Sequence, residues 1–191
     1  MQAYLWDGVL RLQGVSPPPC RRQERRISVQ ALIVYHSKTG HTKQAAEDVA
    51  RGLEGEGVGC VLKPAGEPGT DLVRGLDIDD FDIVLAGSPT YGNRLYRLPA
   101  RPVERFMNSL SPGGLKGKTC GAFTVNAGRG GGALVGAMEG LLKKLGGKVV
   151  SGGPVVKAGA PLSLYKGPDA SVEDVRKCEE FGKKVALAAR G

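Results

Sequence analysis

Ala31-Leu32-Ile33-Val34-Tyr35-His36-Ser37-Lys38-Thr39-Gly40-His41-Thr42 is the stretch on which the reading of this chain turns. The uninterrupted apolar run Ala31–Val34 suits a short strand covered on both faces. Just downstream, Ala45, Ala46, Val49, Ala50 and Leu53 recur at helical spacing. A strand therefore ends in a hydroxyl-rich turn that opens directly into a helix. Such a turn meets the N–H groups of the first helical turn, which lack intrahelical acceptors, and the positive end of the helix dipole. Ser37, Thr39 and Thr42 converge there with Lys38, Gly40 and His41 between them. The guest this arrangement favours is a phosphate group. An ordinary capped helix is the other reading, because Ser and Thr are preferred N-caps in their own right. Gly40 is not followed by Lys-Ser or Lys-Thr, so a Walker A nucleotide site is not supported.

Outward from this turn the chain alternates strand and helix with short connections. Strands are expected at Ala31–Tyr35, Val58–Leu62, Asp82–Gly87, Thr119–Val125 and Lys148–Val150, the last reaching toward Lys157. Helices are expected at His41–Glu54, Asp71–Leu76, Pro99–Leu110, Gly131–Leu145 and Ala170–Ala189. Alternation of this kind predicts an α/β fold, an open doubly wound parallel sheet with helices on both faces. Ligands of such sheets bind beyond the carboxyl ends of the strands, where the strand order reverses.

Two further turns fall at that rim. The one after the third strand reads Gly87-Ser88-Pro89-Thr90-Tyr91-Gly92-Asn93, and the one after the fourth reads Thr124-Val125-Asn126-Ala127-Gly128-Arg129-Gly130-Gly131-Gly132. Gly128 to Ala133 also satisfies the dinucleotide pattern GxGxxA. That pattern wants a carboxylate at the end of the next strand, and the chain there offers Ser151-Gly152-Gly153-Pro154. The dinucleotide reading is rejected.

The Ser-x-Thr-Gly-x-Thr spacing of the first turn resembles the phosphate loop of flavodoxin-like proteins, and Gly87–Gly92 looks like their loop after strand three. Gly40-His41 with the Gly-rich third turn resembles the tryptophan-repressor-binding-protein type of NAD(P)H:quinone oxidoreductase. The tail Lys177–Ala186 resembles the flavodoxin domain of the diiron flavoproteins. The resemblance implies a flavodoxin-like three-layer sandwich over residues 30–191, with a five-stranded parallel sheet of order 2-1-3-4-5. It also implies flavin mononucleotide (FMN), held by Ser37, Lys38, Thr39, Gly40, His41 and Thr42 around the phosphate. Pro89, Thr90, Tyr91, Gly92 and Asn93 would border the isoalloxazine ring on one side. Thr124, Asn126, Ala127, Gly128, Arg129, Gly130 and Gly131 would border it on the other. Gly92 would let a carbonyl turn toward flavin N5, and Arg129 would favour the reduced ring. The third turn departs from both families, having no Trp or Tyr to stack and no glycine-flanked His.

Three functions follow from these readings: an FMN electron carrier between redox partner proteins; an FMN-dependent NAD(P)H:quinone oxidoreductase, expected to be a homo-oligomer; and a flavin-free binding module on the same fold. Composition narrows the field. The net charge of +8 and pI near 9.5 favour acidic partners. Yet aromatic residues are only 5%, which speaks against a stacking surface for nucleic acid. No apolar run reaches membrane-spanning length. The four cysteines are scattered with no CxxC pair, as expected of reduced thiols in a cytoplasmic protein. Residues 1–29 are expected to form an extension outside the core. Their order, apolar residues, then Pro17-Pro18-Pro19, then the basic Arg21–Arg26, is the reverse of a secretory signal.

Overall fold

The computed structural model describes residues 29–66, 77–90, 98–159, 167 and 169–191. Along the chain these form β1 (Gln30–Tyr35), α1 (His41–Glu54), β2 (Gly59–Pro64), a single 3-10 turn at Ile78–Asp80, β3 (Ile83–Pro89) and α2 (Arg101–Ser109). They continue with β4 (Thr119–Asn126), α3 (Gly131–Lys144), β5 (Lys148–Val149), β6 (Val155–Lys157) and α4 (Val172–Arg190). The expected helix at Asp71–Leu76 lies outside the described residues. Val29 already packs against the core, and its carbonyl accepts from the Gly59 N–H at 2.9 Å.

Every strand pairing is parallel, and the order is β2-β1-β3-β4-β5. Strand alternation divides the core into two layers. Ala31, Ile33, Ile83, Leu85, Phe123 and Val125 point to the layer that also holds the buried residues of α1 and α4. Leu32, Val34, Val84, Ala86, Cys120 and Ala122 point the other way, to α2 and α3. The three-layer sandwich follows from that double coverage.

The fifth strand is not continuous. β5 pairs with Thr119 and Cys120, and β6 pairs with Thr124, Val125 and Asn126 further along the same edge of β4. Between them Gly153 presses so closely on β4 that a Cβ there would sit 1.6 Å from the Ala122 carbonyl oxygen. Pro154 has no N–H to donate. The freed N–H groups of Gly152 and Gly153 donate instead to Glu139 Oε1 on α3, at 3.0 and 3.3 Å. A lysine from α4, Lys184, donates to the Ser151 carbonyl at 2.9 Å.

On the α1–α4 side the two helices touch through their backbones. A Cβ on Gly52 would lie 2.1 Å from the Glu179 carbonyl oxygen, and one on Gly182 would lie 2.3 Å from that of Val49. Arg51 ties the same seam, donating from Nε to Glu179 at 3.1 Å and from Nη2 to the buried Asp48.

Candidate functional site

Strand register brings the three turns to one rim. Tyr35 lies beside Gly87, Pro89 beside Val125, and Asn126 beside Lys157, so β1, β3, β4 and β6 end side by side. Hydrogen bonds then lock each turn to the next. The His36 N–H donates to the Gly87 carbonyl at 3.1 Å, and the Thr90 N–H donates to that of Val125 at 3.0 Å. Thr124 Oγ1 donates to the Ser88 carbonyl at 2.6 Å, while Ser88 Oγ accepts from the Ala100 N–H at 2.8 Å. Ser88 and Thr124 are both fully buried. They fasten the floor of the site; in the sequence Ser88 stood within the turn that resembles the flavodoxin-like loop after strand three, with no role of its own.

In the first turn, α1 begins at Gly40, whose φ of 93° is in the left-handed region, and no side chain caps the helix. Ser37 Oγ accepts instead from the Gly40 N–H at 3.1 Å, which folds the turn back on itself. Ser37 and Thr39 are half-buried, and Lys38 and Gly40 are exposed. Thr42 is buried in the first turn of the helix. His41, expected at the phosphate or at the surface, is also buried, with Nδ1 3.7 Å from Asp169 Oδ1. Asp169 therefore faces His41. Ser171 caps α4, accepting from the Asp174 N–H at 3.1 Å. A cleft of about 540 Å³ runs from this turn between α1 and α4.

The second turn is described through Pro89 and Thr90, both half-buried. Tyr91, Gly92 and Asn93 lie outside the described residues.

The third turn repeats the device of the first. α3 begins at Gly130, again left-handed with φ 90° and again without a side-chain cap. Ala127, Gly128 and Arg129 are exposed, so Arg129 stands at the surface beside the rim. Gly131 is buried and could be nothing larger. A Cβ there would fall 2.3 Å from Val155 Cγ1 and 2.6 Å from Asn126 Nδ2. Among the described residues, Asn126 Oδ1 is the buried side-chain polar atom with no hydrogen-bond partner.

The described cysteines, Cys60, Cys120 and Cys178, take no part in the site. Burial pushes the Cys60, Cys120 and Cys178 thiols up to about 12, which leaves them protonated and unreactive at neutral pH. Among the described residues no group of three or more His, Cys, Asp or Glu is placed to hold a metal ion, and no helix is long and apolar enough to cross a membrane.

Two uncapped helix N-termini on one rim offer N–H donors to an anion and to carbonyl oxygens. The orphaned acceptor of Asn126 wants a donor. A ligand with an anionic tail and a flat head carrying both C=O and N–H groups fits all three, and FMN is such a ligand.

The family model described as Flavodoxin matches residues 33–181. A flavodoxin of Maridesulfovibrio salexigens is 36% identical over 95 residues, which are 49% of this chain and 61% of that protein. The matched part thus spans about three fifths of that relative's length. Among solved structures, the WrbA-like flavodoxin of Agrobacterium tumefaciens is 25% identical with a TM-score of 0.65, covering 85% of this chain and 98% of its own. Oxidised Flavodoxin 2 of Bacillus cereus has the same TM-score at 23% identity, covering 84% of this chain and 99% of its own, and shares the fold.

Proposed function

The chain belongs to the flavodoxin family, whose cofactor is FMN, and from that premise we propose that it is an electron carrier working through non-covalent FMN. Bound FMN supplies the one- and two-electron redox chemistry, and the protein supplies binding and electrostatics. The observation that supports this reading best is the start of α1: a left-handed glycine, no side-chain cap on the first N–H groups, and nothing within 4 Å of where a Cβ on Gly40 would stand. In this reading Ser37, Lys38 and Thr39 hold the phosphate with the N–H groups of His41 and Thr42. Pro89, Thr90, Tyr91, Gly92 and Asn93 border one side of the ring. Thr124, Asn126, Ala127, Gly128, Arg129, Gly130 and Gly131 border the other. The His41–Asp169 contact holds the phosphate turn against the segment that precedes α4.

The test compares FMN with riboflavin, which lacks the phosphate. FMN is expected to bind at least about tenfold more tightly, since each charge-assisted hydrogen bond contributes about 1.5–3 kcal/mol. Ser37→Ala and Thr39→Ala should weaken FMN and leave riboflavin unchanged. Equal affinity for the two flavins would remove the phosphate site. A protein that takes up neither would leave the flavin-free binding module.

A second reading, an FMN-dependent NAD(P)H:quinone oxidoreductase, is supported by the Gly40-His41 pair and by likeness to the WrbA-like flavodoxin. The small, exposed third turn weighs toward the carrier. Adding NADH or NADPH with a quinone to the FMN-loaded protein separates them: turnover favours the enzyme, and unreactive bound flavin favours the carrier. Residues 1–28 stand outside the core in this proposal, since Val29 already packs against it. Removing residues 1–28 should leave FMN affinity unchanged, and a loss of affinity would bring them into the site.

A further inference from the structure

We propose that the Asn126 carboxamide positions the flavin and reads its identity, with Oδ1 accepting a hydrogen bond from ring N3–H; this rests on the FMN reading above. Asn126 is only 5% exposed, and its Oδ1 has no partner among the described residues. Its backbone carbonyl accepts from the Ala158 N–H at 3.2 Å. The unmet acceptor is the side-chain oxygen. A buried acceptor left unpaired costs a folded chain stability, so one that is retained at a ligand-binding rim points to a donor on the ligand.

The residue closes β4 at that rim. It lines a cleft of about 240 Å³ with Ala127, Gly128, Lys157, Ala158 and Gly159. Gly131 makes room for the carboxamide, because a Cβ there would lie 2.6 Å from Nδ2. In the oxidised isoalloxazine, N3–H is the one N–H donor, and the remaining heteroatoms of the pyrimidine edge accept. An orphaned acceptor beside the ring therefore selects that edge and that atom.

The experiment is a cycle of flavin-fluorescence titrations using FMN and 3-methyl-FMN, which lacks the N3 proton, with the unsubstituted chain, Asn126→Leu and Asn126→Asp. The unsubstituted chain should prefer FMN by about tenfold or more. Asn126→Leu should erase that preference while keeping the preference of FMN over riboflavin, which the first turn sets. Asn126→Asp, which retains an acceptor, should keep both. Persistence of the N3–H preference in Asn126→Leu, or equal weakening of both flavins, overturns the assignment. Should Asn126→Leu fail to fold, nitrogen-15-labelled FMN on the unsubstituted chain answers instead. Its N3 proton should exchange slowly with water, and exchange as fast as in free FMN overturns the role. A chain that takes up no FMN defeats the parent reading as well, whereas FMN bound without any N3 preference defeats this inference alone.

Discussion

Single residues at this rim are chosen for backbone shape as much as for chemistry. Gly40 stands in open space but at φ 93°, so alanine there meets no clash and only conformational strain. Gly40→Ala should cost about 1–2 kcal/mol in urea unfolding, with the loss carried over to FMN affinity because the turn tilts. An unchanged denaturation midpoint would show that the turn relaxes freely. The thiols make a second prediction at this scale. Burial raises Cys60, Cys120 and Cys178 from 9.0 to about 12, and in the unfolded chain they return to the ordinary value. The unfolded state thus loses these protons first as pH rises. Stability from this source is complete below about pH 9 and falls between pH 9 and 12. In a Cys20→Ser background, a thiol reagent at pH 8 should label nothing until urea unfolds the protein. Rapid labelling of the folded chain would contradict the burial described.

At the scale of elements, glycine has opposite meanings on two helices. Gly136 and Gly140 lie on the exposed face of α3 with nothing within 4 Å of a would-be Cβ. They add unfolded-state entropy and make no contact, so Gly136→Ala and Gly140→Ala should each stabilise the fold by about 0.5–1 kcal/mol. Gly52 and Gly182 sit where α1 and α4 touch backbone to backbone. Alanine at either position must push the helices apart, at a cost of about 1–3 kcal/mol. Thermal melts of the four variants should therefore move in opposite directions by pair, and a common direction would show that open space and close approach had been misassigned. α1 also bears the first turn of the site, so separating it from α4 should weaken FMN binding along with stability.

For the whole molecule, the net charge of +8 favours a reduced, anionic flavin over what an acidic protein would allow. Arg129 contributes locally, exposed beside the rim. An exposed charge acts through solvent and is worth only about 0.2–1 kcal/mol. Arg129→Glu should accordingly make the two-electron potential more negative by on the order of 10–20 mV. A potential that does not move in spectroelectrochemical titration would show Arg129 turned away from the ring. Charge on this scale also selects partners, and an acidic redox protein should bind less tightly as salt rises.

The α/β alternation was legible in the sequence alone, because period and punctuation are local properties of the chain. The strand order, and with it the meeting of the three turns at one rim, was implied only by the resemblance of those turns to flavodoxin-like loops, and the strand pairing agrees with it. Apolar runs at Ala31–Val34 and Ile83–Ala86 announce strands covered on both faces, and the fold class follows from their alternation with helical segments. The His41–Glu54 helix begins and ends where its spacing said it would. What sequence left open depends on who meets whom across the sheet. That Asp169 faces His41, that Glu139 bridges a break in the fifth strand, and that Gly52 and Gly182 meet are contacts between residues far apart in the chain. Asn126 reads as one more polar residue in a turn until burial removes its water and packing denies it a partner. Local pattern fixed which segments are strands and helices. Only long-range packing decided which polar groups are left with an unmet bond, because burial and partners are properties of the folded whole.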